Sequence, residues 1–151
     1  MNTIQTLQST FQTLHPIRKF AWVYMLLFLG VTSLSYIPGL TNSDGVTLGL
    51  FRLELKDDLL HLGSAIWSAW AAWRSVRAST LYFKIFGVVY ACDGIVGLLF
   101  GNGYLDGGIF TQGPIALDWL TKILANLPHI LIGGVATFIG YVLSRNFPDH
   151  D

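Results

Sequence analysis

The sequence predicts an all-α membrane protein with four transmembrane helices. Hydrophobic residues make up 52% of its 151 residues and charged residues only 12%, whereas soluble domains carry about 25% charged residues. Four apolar stretches are each long enough, at about 1.5 Å per residue, to cross a hydrocarbon core of about 30 Å. The halves of the chain also resemble each other, which predicts a two-fold parallel repeat of a helix pair.

The elements follow in order along the chain. Residues 1–19 form an N-terminal cytoplasmic amphipathic segment whose apolar side chains recur at helical spacing, which predicts an interfacial helix ending near Pro16. The basic Arg18 and Lys19 would also precede a cleaved signal peptide, but no small-residue cleavage site follows. The predicted four-helix bundle covers residues 20–145, with spans at about 20–37, 59–76, 81–100 and 127–143, before a tail at 146–151.

Two outer loops connect the spans. In Leu50–Lys56 apolar and charged residues alternate, which predicts a short strand at the membrane surface. Pro114 begins a segment with one apolar helical face, which predicts a separate interfacial helix with Trp119 at headgroup level.

The distribution of cations predicts the orientation. Lys and Arg concentrate on one side of the predicted topology, which is typical of cytoplasmic loops. We therefore expect both termini in the cytoplasm and the protein in a bacterial inner membrane. Because the formal net charge is zero, no nucleic-acid partner is expected. The cations on the two sides are Arg18, Lys19, Arg74, Arg77, Lys84 and Arg145 against Arg52, Lys56 and Lys122.

Short matches in a common order support the internal repeat. Phe20, Val23 and Tyr24 correspond to Phe86, Val89 and Tyr90, and Asp58 to His61 corresponds to Asn126 to His129. Because each unit contains two spans, the pseudo-twofold axis would run along the membrane normal. The repeat then predicts that His61 and His129 lie at the same depth, near the outer surface.

These matches resemble an uncharacterised bacterial family of small four-helix integral membrane proteins, a domain of unknown function with a His at the head of helices two and four. The resemblance implies a membrane protein and supplies no activity. This chain departs from the pattern at Asp58, where an Asn is usual, and in its longer second outer loop. The residues that carry the resemblance are Gly49-Leu50-Phe51 through His61 and Gly63, and Asn126 through His129, Gly133 and Gly134.

His61 and His129 are the principal candidate ligand residues. Two imidazoles facing each other across the axis could hold a haem iron or, with carboxylates, a divalent metal, and Asp58 and Asn126 lie within one turn of them. The alternative is structural: each His begins a helix at the interface, while Asp58 and Asn126 satisfy first-turn amides. No His-x-x-x-His spacing supports a complete metal site.

Asp93 is the third candidate, because it falls near the middle of the third predicted span. A charged carboxylate there costs at least about 2.5–3.5 kcal/mol, so it must be paired, protonated or hydrated. It could carry protons or anchor a ligand. It could instead be a protonated acid bonded to a hydroxyl of Thr32, Ser64 or Tyr24, since no basic partner is visible at matching depth.

Small residues four positions apart predict close helix packing, either within the bundle or between subunits. No phosphate loop, nucleophile elbow or Cys-x-x-Cys occurs, so an enzyme is not expected. The packing residues are Gly97, Gly101, Ser64, Ser68, Ala136 and Gly140.

Three functions follow from these features. The first expectation is an accessory or structural subunit that packs with itself or with a larger membrane complex. The second is a bundle that binds haem, a metal or a hydrophobic, quinone-like small molecule through His61, His129 and Asp93. The third, with less support, is a proton-coupled carrier that uses Asp93.

Overall fold

The computed structural model describes residues 14–34, 36–43, 46–48 and 55–147, and these ranges contain helices and no β-strand. The prediction of an all-helical protein is confirmed for them. The helices are α1 (Pro16–Leu34), α2 (Leu55–Arg74), α3 (Val76–Phe100), the short α4 (Gly108–Thr111) and α5 (Trp119–Tyr141), followed by a 3-10 helix (Leu143–Asn146).

Three helical segments are long and apolar enough to cross a membrane: Pro16–Leu34, Val76–Phe100 and Trp119–Asn146. This agrees with an integral membrane protein. The helix α2 is 20 residues long but has Lys56, Asp57 and Asp58 in its first turn. The two carboxylates in its first turn distinguish it from the other three, whose first turns contain no acidic residue.

Both ends of the described chain lie at the same end of the bundle. The Arg18 guanidinium, at the start of α1, donates to the Ala72 and Trp73 carbonyls at the end of α2, with N···O distances of 2.7 and 3.0 Å. The His15 ring meets the Phe147 ring edge-on, with 6.1 Å between centroids. The loops after α1 and α3 therefore lie at the opposite end, which we call the cavity end.

Local signals determine where the helices begin and end. Ser75 separates α2 from α3 and accepts a hydrogen bond from the Ala78 amide at 3.0 Å. Gly101 ends α3 with a φ of 87°, a left-handed conformation that suits glycine. Asp118 begins α5 by accepting from the amide and hydroxyl of Thr121, and these bonds hold the pKa of Asp118 below its ordinary value.

The prediction of a separate interfacial helix from Pro114 is wrong. Residues 114–118 are not helical, and α5 begins at Trp119 and continues to Tyr141 as one helix. The amphipathic pattern after Asp118 is therefore the first two turns of the spanning helix. Pro128 lies inside α5, and the helix continues through it although proline removes one intrahelical hydrogen bond.

Other helix boundaries also differ from the prediction. Helix α1 ends at Leu34 rather than at residue 37, ahead of a turn in which Gly39 has a φ of 87°. Helix α2 begins at Leu55, so the last two residues of the predicted strand 50–56 are helical. The rest of that strand and residues 1–13 of the predicted interfacial helix lie outside the described residues. Pro16 is the first residue of α1.

An aromatic core holds the long helices together. The ring of Tyr24 packs against those of Phe83 and Phe86, and its hydroxyl donates to the Ile132 carbonyl at 2.8 Å, joining α1 to α5. Edge-to-face and stacked ring pairs of this kind add about 0.5–1.5 kcal/mol each beyond area burial. Together the core rings are Tyr24, Phe28, Trp67, Tyr82, Phe83, Phe86 and Tyr90.

Helices α3 and α5 meet along a glycine seam. A Cβ placed on Gly133 would lie 2.8 Å from the Gly87 carbonyl oxygen, and one on Gly140 would lie 2.7 Å from the Lys84 amide. The two backbones are therefore in direct contact, as small residues permit. Gly97 and Ala136 lie in the same seam, whereas Gly101 ends its helix.

The two predicted packing serines lie on α2 and make different contacts. The Ser68 hydroxyl donates across to the Ala21 carbonyl of α1 at 2.7 Å, and the Ser64 hydroxyl donates within α2 to the Leu60 carbonyl at 2.8 Å. Of the two, Ser68 thus joins neighbouring helices.

Candidate ligand-binding site

A cavity of about 570 Å³ lies at the cavity end, between α2, α3, α5 and the loop that follows α3. Its volume falls in the range of about 300–1,000 Å³ that is typical of small-molecule sites. Four of the five candidate residues line it: His61, Asp93, Asn126 and His129. The structure thus brings together residues that are up to 68 positions apart in the sequence.

Asp93 is paired with His129. The Asp93 Oδ2 atom lies 2.7 Å from His129 Nδ1, and Oδ1 accepts from the amides of Tyr104 and Leu105 at 2.6 and 2.8 Å. The Asp93 side chain is only 3% exposed. Three hydrogen bonds to its two oxygens favour the carboxylate form. These bonds offset part of the free energy that a charged carboxylate costs in an apolar helix.

The expectation that Asp93 has no basic partner at matching depth is therefore wrong. Asp93 lies two turns before the end of α3, because that helix extends to Phe100, and α5 brings His129 to the same level. The predicted hydrogen bond between Asp93 and a neighbouring hydroxyl is also wrong. The Tyr24, Thr32 and Ser64 hydroxyls donate instead to the carbonyls of Ile132, Phe28 and Leu60.

His129 is held rigidly by its surroundings. Its ring stacks on Tyr90, with 4.5 Å between centroids and an interplanar angle of 26°. When Nδ1–H donates to Asp93, the other nitrogen of the neutral ring, Nε2, carries a lone pair. A carboxylate that fixes an imidazole in this way is the usual outer partner of a ligand-binding histidine.

His61 is buried and incompletely satisfied. It is 5% exposed, its ring stacks on Phe28 with 5.9 Å between centroids, and its Nδ1 atom has no hydrogen-bond partner among the described residues. An unsatisfied buried polar atom costs about 1–3 kcal/mol. Such an atom in a cavity wall suggests a functional reason.

The structural alternative is wrong for Asn126, which lies inside α5 rather than in its first turn, whereas Asp58 does lie in the first turn of α2. The Asp58 Oδ2 atom accepts from the Tyr36 hydroxyl at 2.9 Å, and this bond raises the pKa of Tyr36. The Asn126 Nδ2 atom donates to the Lys122 carbonyl at 2.9 Å inside α5. His61 and His129 likewise lie well inside α2 and α5 rather than at their first residues.

The charged residues in the lining show how well the cavity would fit haem or a metal ion. Among the described lining residues Lys56 is the one lysine, together with the carboxylates of Asp57, Asp93 and Asp106. Haem carries two anionic propionates, and this excess of carboxylates would repel them. Within the described ranges, no group of three or more His, Cys, Asp or Glu side chains is placed to hold a metal ion. The residues therefore fit neither group well.

The loop after α3, which completes the site, was not predicted from the sequence. The Tyr104 and Leu105 amides reach Asp93 only because Gly103 has no side chain, since a Cβ there would lie 2.6 Å from Asp93 Oδ1. The available signal was the glycine-rich stretch 101–108, which follows a helix containing a lone acid. Partial burial raises the pKa of Tyr104, whose hydroxyl donates to the Val89 carbonyl at 2.5 Å.

No protein-family model, curated protein or solved structure matches this chain. The resemblance to an uncharacterised family of small membrane proteins therefore stays a prediction.

Proposed function

We propose that this protein binds a small molecule with a polar head in the cavity. His61 and His129 would contact the head, and Asp93 would act as a positioning residue for His129. The observation that carries the proposal is the Asp93–His129 hydrogen bond of 2.7 Å in the cavity wall. The same wall contains a second imidazole, that of His61, which is buried. A convergent set of fixed polar groups in an otherwise apolar protein is typical of a ligand site.

The accessory-subunit alternative has less support. It relied on small-residue helix faces that would remain available to a partner. Gly97, Ala136 and Gly140 are instead used between α3 and α5 of the same chain. The carrier alternative would require Asp93 to gain and lose a proton, although the bonds from His129 and from the Tyr104 and Leu105 amides favour its charged form.

Binding of two ring compounds without tails, methylhydroquinone and methylbenzoquinone, tests the proposal by calorimetry on detergent-solubilised protein. We expect saturable binding of at least one of them. His61→Ala and His129→Ala should each weaken it about tenfold to a hundredfold, as expected for a lost buried hydrogen bond. His15→Ala is the matched control, since His15 lies at the opposite end of the bundle.

Three results would contradict the proposal. The first is no saturable binding of either compound, and the second is equal binding by the wild type and His129→Ala. The third is a Soret band in the purified protein that His61→Ala abolishes, because that result would assign the His61 imidazole to haem.

We also propose that α2 crosses the membrane, giving four spans with both termini in the cytoplasm of a bacterial cell. The support is that α2 pairs with α1, and α3 with α5, while His15 and Phe147 are in contact. Two such pairs agree with the predicted parallel repeat. Reporter fusions at residues 1 and 151 should both report a cytoplasmic location. Reporters on opposite sides would remove the four-span topology.

A further inference from the structure

A second cavity, apolar and about 300 Å³ in volume, lies between α2 and α3. We call it the apolar groove, and Gly63, Trp67, Phe86 and Val89 are among its lining residues. Leu60 lines both the groove and the polar cavity. The two spaces are therefore neighbours, one lined by hydrogen-bonding groups and the other apolar.

We infer that the ligand is an amphiphile, with a hydrogen-bond-donating head in the polar cavity and a single apolar tail in the apolar groove. This inference rests on the proposed function, and it adds the chemical class of the ligand. A hydroquinone ring with an alkyl chain is a compound of this class.

The position of the groove supports the tail. On α2 its lining extends from Leu59, beside the cavity, to Trp67, a distance of about 12 Å at 1.5 Å per residue. On α3 it lies around Phe86 and Val89, near the middle of that helix. The groove thus extends from the cavity end toward the depth at which a lipid chain would lie, so a tail could follow the polarity gradient of the bilayer.

The groove is also accessible from the side. Leu59 is 60% exposed and Ile85 is 45% exposed, although both line it. In a membrane these exposed side chains face lipid, so a chain could enter laterally. A tail there exchanges lipid contacts for contacts with the groove, so it gains through van der Waals packing rather than through removal from water.

The hydrogen-bond acceptors of the cavity support the head. When the ring of His129 is neutral and its Nδ1–H donates to Asp93, Nε2 is left as an acceptor. The Asp57 and Asp106 carboxylates in the lining also only accept. A hydroxyl of a hydroquinone can donate to such groups, whereas the carbonyl of a benzoquinone can only accept.

Gly63→Leu tests the tail, because Gly63 lines the groove and no atom lies within 4 Å of a Cβ placed there. The new side chain would fill the groove without a clash. Gly134→Leu is the matched control, a helical glycine of α5 with equally open surroundings that does not line the groove. The probes are decylhydroquinone and methylhydroquinone, bound at pH 8 to the full chain in phosphatidylcholine nanodiscs, with affinities referred to the lipid phase.

We expect Gly63→Leu to weaken decylhydroquinone binding about tenfold or more, because the tail and the new side chain would be forced into the same packed space. Methylhydroquinone should bind both variants as it binds the wild type. In the wild type, decylbenzoquinone should bind more weakly than decylhydroquinone, since the two differ only in the head. Bulk lipid is present in excess throughout, so saturable binding excludes ordinary lipid as the ligand.

The outcomes separate the two proposals. If methylhydroquinone binds but Gly63→Leu leaves decylhydroquinone binding unchanged, the tail inference is overturned and the proposed function stands. If decylbenzoquinone binds at least as tightly as decylhydroquinone, the assignment of a donating head is overturned. If none of the ring compounds binds to the wild type, the proposed function itself fails.

Discussion

Replacing Asp93 with asparagine is expected to reverse the head-group preference of the cavity. The Tyr104 and Leu105 amides both donate to Asp93 Oδ1, so only the oxygen of an asparagine amide can occupy that place. The amide nitrogen must then face His129 Nδ1, which in the wild type lies 2.7 Å from a carboxylate oxygen. For Nδ1 to accept a hydrogen bond from the amide nitrogen, the ring proton must move to Nε2. Nε2 then changes from an acceptor into a donor.

The Asp93→Asn variant should therefore bind methylhydroquinone about tenfold to a hundredfold more weakly, as expected when a buried hydrogen bond loses its acceptor. Its affinity for methylbenzoquinone should rise. Nitrogen-15 NMR of labelled histidine reports the tautomer directly, and a purely structural role for Asp93 would not move the proton between the ring nitrogens.

Asp106→Asn is the matched control for this exchange. Asp106 lines the same cavity and accepts from the Gly108 amide at 2.9 Å, a bond that asparagine can also accept. The variant removes one negative charge from the lining without touching His129. The positioning role of Asp93 is contradicted if Asp93→Asn keeps the wild-type tautomer, or if it and Asp106→Asn change the two affinities equally.

The sequence was sufficient to predict the helical class and four of the side chains that line the cavity. Apolar stretches of spanning length are local signals, and so is a charged residue inside one of them, such as Asp93. Both signals depend on residue type and spacing along a single helix. The comparison of the two halves singled out His61 and His129, which both line one cavity, while the repeat and the equal depth of the two rings stay predictions.

The pairing of Asp93 with His129 could not be predicted in the same way. It depends on where α3 ends and α5 begins. The predicted last span begins eight residues after the true start of α5 at Trp119. The pairing also depends on loop amides that carry no side-chain signal. Gly103 leaves room for these amides to reach Asp93, but in the sequence it is one glycine among several. Register between helices is a property of packing, which no single segment contains.

The polar site and the glycine seam are parts of one structure. A Cβ on Gly94 would lie 2.8 Å from the His129 Cβ, and one on Gly97 would meet the amide of Asn126. Two cavity residues of α5 therefore rest directly on glycines of α3. Close approach of these helices is what brings the imidazole to the carboxylate.

Gly133→Ala is accordingly expected to destabilise the protein strongly. The added methyl would meet the Ala91 Cα and the Gly87 carbonyl oxygen, each at 2.8 Å, and these are backbone atoms that cannot rotate away. Forcing extra atoms into a packed interface costs about 1–3 kcal/mol and sometimes more. Since α3 must move from α5, the bond between Asp93 and His129 should lengthen, and methylhydroquinone binding should weaken as well.

Gly134→Ala, at the next residue, is the matched control, because no atom lies within 4 Å of its Cβ position. There alanine should leave the free energy of unfolding unchanged or raise it by up to about 1 kcal/mol, since glycine is the poorer helix former. Unfolding by sodium dodecyl sulfate in mixed micelles compares the two variants directly. Equal free energies would mean that the seam is not closely packed, and the geometry that positions His129 would lose its support.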